Sequence, residues 1–551
     1  FYPHGLSLAL HSNSWLNTLL AQPFLGFCSL EAMHYFQLWI YFPLSALAAW
    51  LLARRYIRSP LACFMAGWIY AYSPYRTGRY IIEQIDIVAT AFIPLFILFL
   101  LELFDRPRWK AALAAALFLF LQTFSSWYNG AFCALFAAFA FLYRWFTTGL
   151  PRKASFWMQL AAVFLLPVVL LSPLILPMLR DLGDPLFATH THQVRVSKDT
   201  SSDLLALVTP GVLYPTFLQQ ATGWHGPAPG SWTEAISTRI LKDRKNNILE
   251  ATSYVGWTVL ALAAWAVVLL LKKRAAPEVR KPLVFWLTAS LVFAILCLGP
   301  VLQIAGWESP IPLPYALINA LPGFSVLRAP VRLSILLTLA LGVTAAFVLD
   351  HWLKNGKQRL ALIFSVLIAL DLAMLPLSRL WQAHPIPEIY TTAIAEDETP
   401  GTVLEIPSGY TFPSSWYNVR GMYYQTRHSR PLLVGYISRT PEDPYHMLEK
   451  HPLLKAVSYR NLQEGVRAVR VPLKEAAADM EELDIRYIVL HLPDILDLTG
   501  GSAEIIPRLK GIFSGLCGPP IQEDGRTMTF RYAPEREITG EDPPPGAIIK
   551  N

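Results

Sequence analysis

The 551-residue chain is 54% hydrophobic and only 15% charged, with a mean hydropathy of +0.37. A soluble protein carries roughly a quarter charged residues, so the composition excludes an ordinary soluble enzyme and predicts a polytopic membrane protein with a soluble part. Residues 1–384 contain 29 Lys and Arg against 16 Asp and Glu, whereas residues 385–551 contain 17 against 23. The basic excess lies in the apolar part and therefore indicates membrane topology rather than nucleic-acid binding.

Ten apolar segments follow one another along the chain, and we predict a helix over each. Some are shorter than the roughly 20 residues that a perpendicular span needs. The segments are 34–53, 59–73, 87–104, 110–124, 128–147, 154–178, 252–271, 282–303, 331–350 and 358–378. The predicted fold class is thus an α-helical polytopic membrane protein with about ten spans in this chain and a C-terminal extracytoplasmic α/β domain.

Lys and Arg residues predict the orientation of these helices. Seventeen of them occupy five short loops, at 54–58, 106–110, 144–153, 272–281 and 354–359. The positive-inside rule places these loops in the cytoplasm, so the stretches that alternate with them face outside a bacterial inner membrane. Residue 1 is Phe and lies on the outer side in this scheme, so we expect one further span upstream.

The topology divides the chain into four predicted regions. Residues 1–33 are part of a first extracytoplasmic loop with a short amphipathic helix, and residues 34–384 form the transmembrane domain, whose long outer loop is 179–251. Residues 385–540 form a soluble α/β domain, because "GTVLEIP", "DIRYIVLH" and "MTFRYAP" are strand-like and "LKEAAADMEEL" is helical. The tail 541–551 is predicted to be disordered.

The stretch "YSPYRTGRYIIEQIDIVAT" (72–90) concentrates charge between two apolar segments. As one helix it places Arg76, Arg79, Glu83 and Asp86 on one face and the isoleucines opposite. One interpretation is an interfacial helix with an Arg79–Glu83 pair. The other is the wall of an outward cavity, where the arginines hold a phosphate and a carboxylate acts as a base or binds a metal.

A second basic cluster lies in "SVLRAPVRL" (325–333). Arg328 stands just before Pro330, which marks the start of a helix, and Arg332 follows one turn later. Guanidinium groups beside an extracytoplasmic helix N-terminus are typical of an anion site, which suggests binding of a donor phosphate. The alternative is that both arginines extend to lipid head groups.

Other candidates are weaker. In "FSSWYNG", Trp127 and Tyr128 could stack on a sugar while Asn129 bonds its hydroxyls, or they could belong to an aromatic belt. Glu250 ends the long outer loop and is a candidate second carboxylate. Neither the five cysteines nor the "THTHQ" sequence has the spacing of a metal site, so none is predicted.

Several stretches together resemble a known group of proteins. They are "FYPHGLSLALHS", "NTLLAQPF", "ARRYIRSPLACFMAGWIYAYSPYRTGR", "LPGFSVLRAPVRL", "YYQTRHSRPLLVGYISR" and "LDIRYIVLH". With these motifs the chain resembles bacterial polytopic membrane proteins grouped with the GT-C glycosyltransferase superfamily, most of which are uncharacterised. The resemblance spans nearly the whole chain.

The resemblance implies inverting transfer of a sugar from a polyprenyl-phosphate carrier to a glycan or lipid acceptor on the outer face of the membrane. It also implies a base Asp in the first extracytoplasmic loop. No Asp precedes Asp86, so that base is expected upstream of Phe1. Glu83, Asp86 or Glu250 would then position the acceptor or a divalent cation, the only cofactor considered, while Arg76, Arg79, Arg328 and Arg332 stabilise the departing phosphate.

Two alternatives remain open. A transporter or flippase for a lipid-linked glycan would use the same cationic cavity without chemistry, with Pro94, Pro173 and Pro177 as kink points. A non-enzymatic assembly factor of the cell envelope would act through its outer domain. The partners common to the first two readings are a polyprenyl-phosphate glycan and membrane lipid.

Overall fold

The computed structural model describes residues 9, 11, 14–182, 198–209, 253–320, 327–372, 385–409, 415–436, 450–502 and 504–534. Contacts divide the chain into two compact units. The membrane unit comprises residues 12–177 and 190–382, and the C-terminal unit comprises residues 383–551 with 1–11 and 178–189.

The membrane unit is built from α-helices and one β-hairpin. The first helices are α1 (Trp15–Ala21), α2 (Leu30–Arg54), α3 (Pro60–Ala71), α4 (Pro74–Ile81), α5 (Ile85–Val88), α6 (Phe92–Asp105), α7 (Trp109–Ser125), α8 (Trp127–Thr147) and α9 (Ala154–Leu182). After them come α10 (Trp257–Leu271), α11 (Pro277–Cys297), strands β1 (Val301–Ile304) and β2 (Trp307–Pro312), α12 (Tyr315–Ala320), α13 (Ser334–Lys354) and α14 (Gln358–Leu372).

Each of the ten apolar segments coincides with a helix, so the prediction of helices there is confirmed. Six described helical stretches are long and apolar enough to cross a membrane: Leu30–Arg54, Ile85–Asp105, Trp127–Thr147, Ala154–Asp181, Pro277–Cys297 and Pro330–Lys354. Three apolar helices, α3, α7 and α10, are shorter. The chain is thus a multi-pass membrane protein, and the number of spans stays a prediction.

One predicted helix extends too far at its C-terminal end. We expected a helix over 282–303, but α11 ends at Cys297 and β1 follows, paired antiparallel with β2. The chain turns at Ala305 and Gly306, both with positive φ, and their N–H groups donate to the Asp203 carboxylate at 3.0 and 2.9 Å. Periodicity could not separate a short apolar strand from the end of an apolar helix.

Side-chain caps and small residues explain how the central helices start and pack. The Ser59 hydroxyl accepts from the Ala62 N–H, and Pro60 occupies the first turn of α3, where its missing N–H costs nothing. A Cβ on Gly67 would lie 2.5 Å from the Ala46 carbonyl of α2, and one on Gly342 would lie 2.9 Å from the Ala66 carbonyl. Glycine at both positions lets α3 lie close against α2 and α13.

The C-terminal ends of three helices meet in a charged cluster. Asp105 at the end of α6 pairs with Arg55, which caps α2, and with Arg144 near the end of α8. The three ends therefore lie on one side of the bundle, as the loop charges predicted. The beginnings of the candidate spans at Ile85, Trp127 and Pro330 lie at the other side, because a helix of about 20 residues is about 30 Å long.

The C-terminal unit contains a four-stranded sheet with helices. In chain order its elements are α15 (Ala393–Glu396), β3 (Thr402–Ile406), α16 (Ser415–His428), α17 (Pro452–Ala456), α18 (Tyr459–Glu464), α19 (Leu473–Glu482), β4 (Ile485–His491), α20 (Leu492–Leu498), α21 (Ile505–Cys517), β5 (Gln522–Glu523) and β6 (Thr527–Arg531). The strand order is β3-β4-β6-β5; β3 and β4 are parallel and the other pairs are antiparallel.

The two faces of this sheet carry separate cores. One face packs Leu404, Ile488 and Leu490 against residues of α17, α19, α20 and α21. The other packs Val403 and Val489 against Tyr424 of α16 and Tyr390, which belongs to a short 3-10 helix. Strands buried on both faces read as continuous apolar runs, which explains why they were recognisable in the sequence.

Candidate functional site

The charged stretch 72–90 is not one helix, which corrects the prediction. α4 ends at Ile81, Glu83 has a φ of 59°, and α5 begins only at Ile85. A left-handed residue ends an α-helix, so the four charges do not share one helical face. The interfacial interpretation is also wrong, because Pro74 to Arg79 are buried.

Arg76 lies in the protein core, where its guanidinium is bound by main-chain oxygens. Its side chain is fully buried and donates to the Ala71 carbonyl at 2.7 Å, the Val88 carbonyl at 2.8 Å and the Ser45 hydroxyl at 3.0 Å. Burial lowers the pKa of Arg76 to about 10, which leaves it charged at neutral pH. Arg76 therefore joins three segments of the fold, and the structure does not support the phosphate contact expected of it.

Arg79 and Glu83 do not share one helix face, because α4 ends at Ile81 between them. Arg79 donates to the Gln84 side chain at 2.8 Å and lies over the Tyr75 ring at 4.9 Å. The Glu83 carboxylate accepts from the Tyr35 hydroxyl of α2 at 2.5 Å. The turn at Glu83 thus sends the two side chains to different neighbours.

Asp86 is the carboxylate on which charges from both basic clusters act. It is half-buried at the start of α5 and interacts electrostatically with Arg332 first and with Arg79 second. These two cations come from segments more than 250 positions apart. The structure thus joins the two basic clusters that the sequence offered separately, with an acid between them.

The segment with Arg328 and Arg332 is held by aromatic side chains. The Arg328 N–H donates to the Tyr128 hydroxyl at 3.1 Å, and the Arg332 guanidinium lies 4.5 Å from the centre of the Tyr128 ring. Arg328 is exposed, and a 3-10 turn (Pro330–Leu333) leads from it into α13. We call Arg79, Asp86, Tyr128, Arg328 and Arg332 the Asp86 cluster.

The remaining candidates have other places. Asn129 is fully buried, and its amide N–H group donates to the carbonyls of Asp86 and Ala89 at 3.0 and 3.3 Å, so it positions the backbone of α5 instead of facing a sugar. Trp127 is half-buried at the start of α8. Glu250 lies outside the described residues.

A divalent cation has little support at this site. Among the described residues, no group of three or more His, Cys, Asp or Glu side chains could hold a metal ion. Asp86 is flanked by two guanidinium groups, whose charge repels a cation. The donor set near Asp86 therefore fits an anion better than a metal.

Sequence reasoning missed the residues that hold the site together. The Thr200 hydroxyl donates to the Arg328 carbonyl, and the Tyr315 hydroxyl donates to the Leu327 carbonyl. Both contacts fix the segment before Arg332. Their only signal in the sequence is a polar group in an apolar setting, which does not identify the partner.

Structure comparison finds two solved structures that are similar to this chain. The archaeal oligosaccharyltransferase AglB from Archaeoglobus fulgidus, in complex with an inhibitory peptide and a dolichol-phosphate, is 13% identical with a TM-score of 0.42. The alignment covers 93% of this chain and 65% of AglB, so the chain spans about two thirds of that protein's length. ArnT from Cupriavidus metallidurans, bound to undecaprenyl phosphate, is 14% identical with a TM-score of 0.35, over 96% of this chain and 88% of ArnT.

Sequence comparison gives the family. No curated protein matches the chain by sequence. Residues 1–373, which contain every described member of the Asp86 cluster, match the model of a domain of unknown function, DUF6311. This protein therefore belongs to the DUF6311 family.

Proposed function

We propose that this protein transfers a sugar from a polyprenyl-phosphate donor to a glycan or lipid acceptor at the outer face of the bacterial inner membrane. The observation that carries the proposal is that Tyr128 holds two arginines, Arg328 through a hydrogen bond from its backbone N–H at 3.1 Å and Arg332 with its guanidinium 4.5 Å from the ring centre. The charges of Arg332 and Arg79 also act on the Asp86 carboxylate. Two fixed cations and one acid are the groups that transfer from a phosphate carrier needs: a site for the leaving phosphate and an acceptor for a proton.

The position of the cluster supports a lipid-linked donor. Asp86, Tyr128 and Arg332 each lie within the first turn of an apolar helical stretch that is long enough to cross a membrane. A phosphate attached to a polyprenyl chain lies at this depth, where the apolar bilayer meets the head groups. The resemblance of the sequence motifs to GT-C glycosyltransferases supports the same donor class.

The two arginines would bind the donor phosphate. Guanidinium groups bind phosphate oxygens through paired N–H donors and remain charged through the reaction. Tyr128 keeps the Arg332 guanidinium over its ring, and its hydroxyl holds the backbone of Arg328, which is exposed. In this arrangement Arg332 and Arg79 stabilise the negative charge that develops on the departing phosphate.

The sequence resemblance implies a base upstream of Phe1; within the described residues we assign the role of proton acceptor to Asp86 instead, because it is the carboxylate of the cluster. The acceptor hydroxyl oxygen attacks the anomeric carbon of the donor sugar, and a new carbon–oxygen bond forms as the bond to the phosphate oxygen breaks. The electron pair of that bond leaves with the phosphate, and the hydroxyl proton passes to the Asp86 carboxylate.

The test compares the two ends of the Ile85–Asp105 stretch. The full-length protein is reconstituted in lipid vesicles with an undecaprenyl-phosphate sugar and an extract of cell-envelope glycans, and formation of a new glycosidic bond is measured. Asp86→Asn should lower the rate by about 10²–10⁴-fold, the usual contribution of a general base. Asp105→Asn is the matched control and should retain the rate, because Asp105 pairs with Arg55 and Arg144 at the other helix ends.

Removal of the phosphate site gives a second measurement. Arg332→Ala should lower the rate by about 10²–10³-fold, as loss of one charge-stabilising donor does in other enzymes. Rates of both Asp86→Asn and Arg332→Ala equal to the wild type would overturn the proposal. Translocation of a labelled lipid-linked sugar without a new glycosidic bond would show a transporter instead.

A further inference from the structure

The topology of the C-terminal sheet predicts a crevice at the carboxyl ends of its two parallel strands. After β3 the chain continues to α16, which packs on the Tyr424 face, and after β4 it continues to α20 and α21, which pack on the opposite face. Where neighbouring parallel strands send their following segments to opposite faces, a crevice opens outside their carboxyl ends. This is the position at which α/β sheets bind their ligands.

A buried carboxylate lies at this end of the sheet with half of its bonding capacity unused. Glu405 of β3 is 5% exposed. Its Oε2 accepts from the Tyr390 hydroxyl at 2.6 Å and lies 2.6 Å from Nε2 of His491, the last residue of β4. Its Oε1 is buried and has no hydrogen-bond partner among the described residues.

Leaving such an oxygen unbonded is costly. A buried polar group without a partner loses about 1–3 kcal/mol, and more if it is charged. Burial and the neighbouring carboxylate raise the pKa of Tyr390 well above its usual range, so its hydroxyl stays protonated and donates. The donors that the structure describes thus both bond to Oε2, and none of the described residues supplies a partner for Oε1.

At the opposite end of the same sheet, the carboxylate that the structure describes accepts hydrogen bonds on both oxygens. There Asp397 accepts from the Tyr487 hydroxyl at 2.6 Å, from Arg486 at 2.9 Å and from the Thr399 N–H at 2.9 Å. Arg430 donates to three main-chain carbonyls in the same place. A charged cluster that only stabilises the fold is saturated in this way, whereas Glu405 is not.

The mouth of the crevice is formed by one ion pair between its two walls. Arg420 of α16 donates through both guanidinium nitrogens to Asp494 of α20, and both side chains are partly exposed. Arg420 also interacts electrostatically with Glu405, and its guanidinium lies 5.8 Å from the ring of the half-buried Tyr417. The crevice therefore contains two carboxylates, one guanidinium and an aromatic ring.

These groups favour a neutral ligand rich in hydroxyl groups. The two carboxylates repel an anion, and Arg420 disfavours a cation. A hydroxyl group can donate to Glu405 Oε1 and accept from a guanidinium N–H, and a pyranose ring can lie on an aromatic face. Saccharides combine these properties.

We propose that the crevice formed by Glu405, Tyr417, Arg420, His491 and Asp494 binds a saccharide, with Glu405 Oε1 accepting a hydrogen bond from one of its hydroxyls. The site is separate from the Asp86 cluster and goes beyond the proposed transfer. A saccharide site is compatible with a transferase, a transporter or an assembly factor. Its test therefore does not depend on whether the proposed sugar transfer is correct.

The experiment uses the full chain in lipid nanodiscs. Fluorescently labelled protein is applied to an array of bacterial cell-surface oligosaccharides, and the dissociation constant of the best-bound oligosaccharide is then measured in solution. Glu405→Gln keeps the volume of the side chain but removes its charge, and we expect affinity to fall about tenfold or more, the effect of losing one charged hydrogen bond. Glu523→Gln is the matched control, because Glu523 of β5 forms an exposed ion pair with Lys510. This variant should bind the oligosaccharide as tightly as the wild type does.

The outcome is decisive in each case. No binding to any oligosaccharide on the array overturns the proposal and means that water or a group of another chemical class satisfies Oε1. Binding that Glu405→Gln leaves within twofold overturns it as well. If Glu405→Gln fails to fold, Asp494→Asn at the partly exposed mouth replaces it under the same tenfold criterion.

Discussion

Arg76 and Asp86 lie ten positions apart in one stretch of sequence, and the fold surrounds their charges differently. Arg76 is fully buried, and main-chain oxygens and a serine hydroxyl bind its guanidinium from three segments. Asp86 is half-buried, and the charges of Arg79 from its own stretch and of Arg332 from a distant segment act on it. The first arrangement stabilises the fold, whereas the second places unlike charges together at a partly exposed position.

The comparison teaches that charge in an apolar chain does not by itself mark a reactive site. A buried arginine whose donors are used by carbonyl groups replaces the water that those carbonyls lack. A carboxylate facing cations at the end of several helices is placed to exchange a proton or to be displaced by a phosphate. Variants whose stability and activity are measured separately test this distinction.

The largest effect is expected from Arg76→Met. Methionine keeps an unbranched apolar chain but leaves the Ala71 carbonyl without its side-chain donor and the Val88 carbonyl with only the Thr90 N–H. We expect a loss of about 3–5 kcal/mol, similar to breaking a buried charged pair. Thermal unfolding of the protein in detergent micelles, followed by tryptophan fluorescence, measures this loss. Arg332→Met is the control and should unfold much closer to the wild type, because Arg332 is half-buried.

Similar thermal unfolding midpoints for Arg76→Met and Arg332→Met would contradict the distinction between Arg76 and the Asp86 cluster. It would mean that Arg332 stabilises the fold as much as Arg76 does, and the Asp86 cluster would then be structural. If Arg332→Met unfolds like the wild type but loses sugar transfer, Arg332 serves activity and not stability, as the distinction predicts.

The second effect concerns Tyr128, which supports the arginines of the cluster. Tyr128→Phe removes the hydroxyl that accepts from the Arg328 N–H but keeps the ring below Arg332, so we expect a loss of about 1 kcal/mol in binding of undecaprenyl phosphate. Tyr128→Leu removes both contacts and should lose about 0.5–2 kcal/mol more, the range of cation–π interactions. Affinity of the reconstituted protein for undecaprenyl phosphate, measured by lipid titration, checks the order, and equal affinities of the two variants would exclude the ring from this role.

The sequence predicted the helices and strands much better than the cluster. Apolar length placed ten helices, and "TVLEI" and "RYIVLH" placed the two parallel strands, because burial of a continuous apolar run is a local property. The break at Glu83 was missed because four charges at helical spacing fit one helix equally well. A single residue of positive φ changes the direction of every side chain after it.

The sequence also could not predict interactions between residues that are far apart along the chain. Asp86 and Arg332 were both named as candidates, yet nothing local indicates that they interact. Glu405 and His491 were not named at all, although each is a polar residue near the end of an apolar strand. A charged residue in a strand that is otherwise apolar is the signal that could have identified them.

A smaller effect is expected from pH in the C-terminal unit. Burial lowers the pKa of His428 below its usual 6.5, with Arg430 adding to this and Glu405 opposing it. The unfolded chain therefore protonates His428 at a higher pH than the folded chain does. The stability that neutral His428 contributes to the fold is fully present above pH 6.5 and is lost as the pH falls below 6.5. We expect unfolding midpoints that decline from pH 7 to pH 5 and a shallower decline in His428→Gln, and an equal decline in both proteins would assign the effect to other groups.

The smallest effect is expected from Arg460→Ala on the surface of α18. Arg460 and Glu464 form an i,i+4 ion pair at 3.1 Å, with side chains 82% and 55% exposed. Water and salt screen such a pair, so its loss should change the free energy of unfolding by no more than about 0.5 kcal/mol. The same thermal unfolding measurement therefore gives a baseline for Arg76→Met. If Arg460→Ala were as destabilising as Arg76→Met, removal of any cation would weaken this basic chain, and burial with carbonyl partners would not be what distinguishes Arg76.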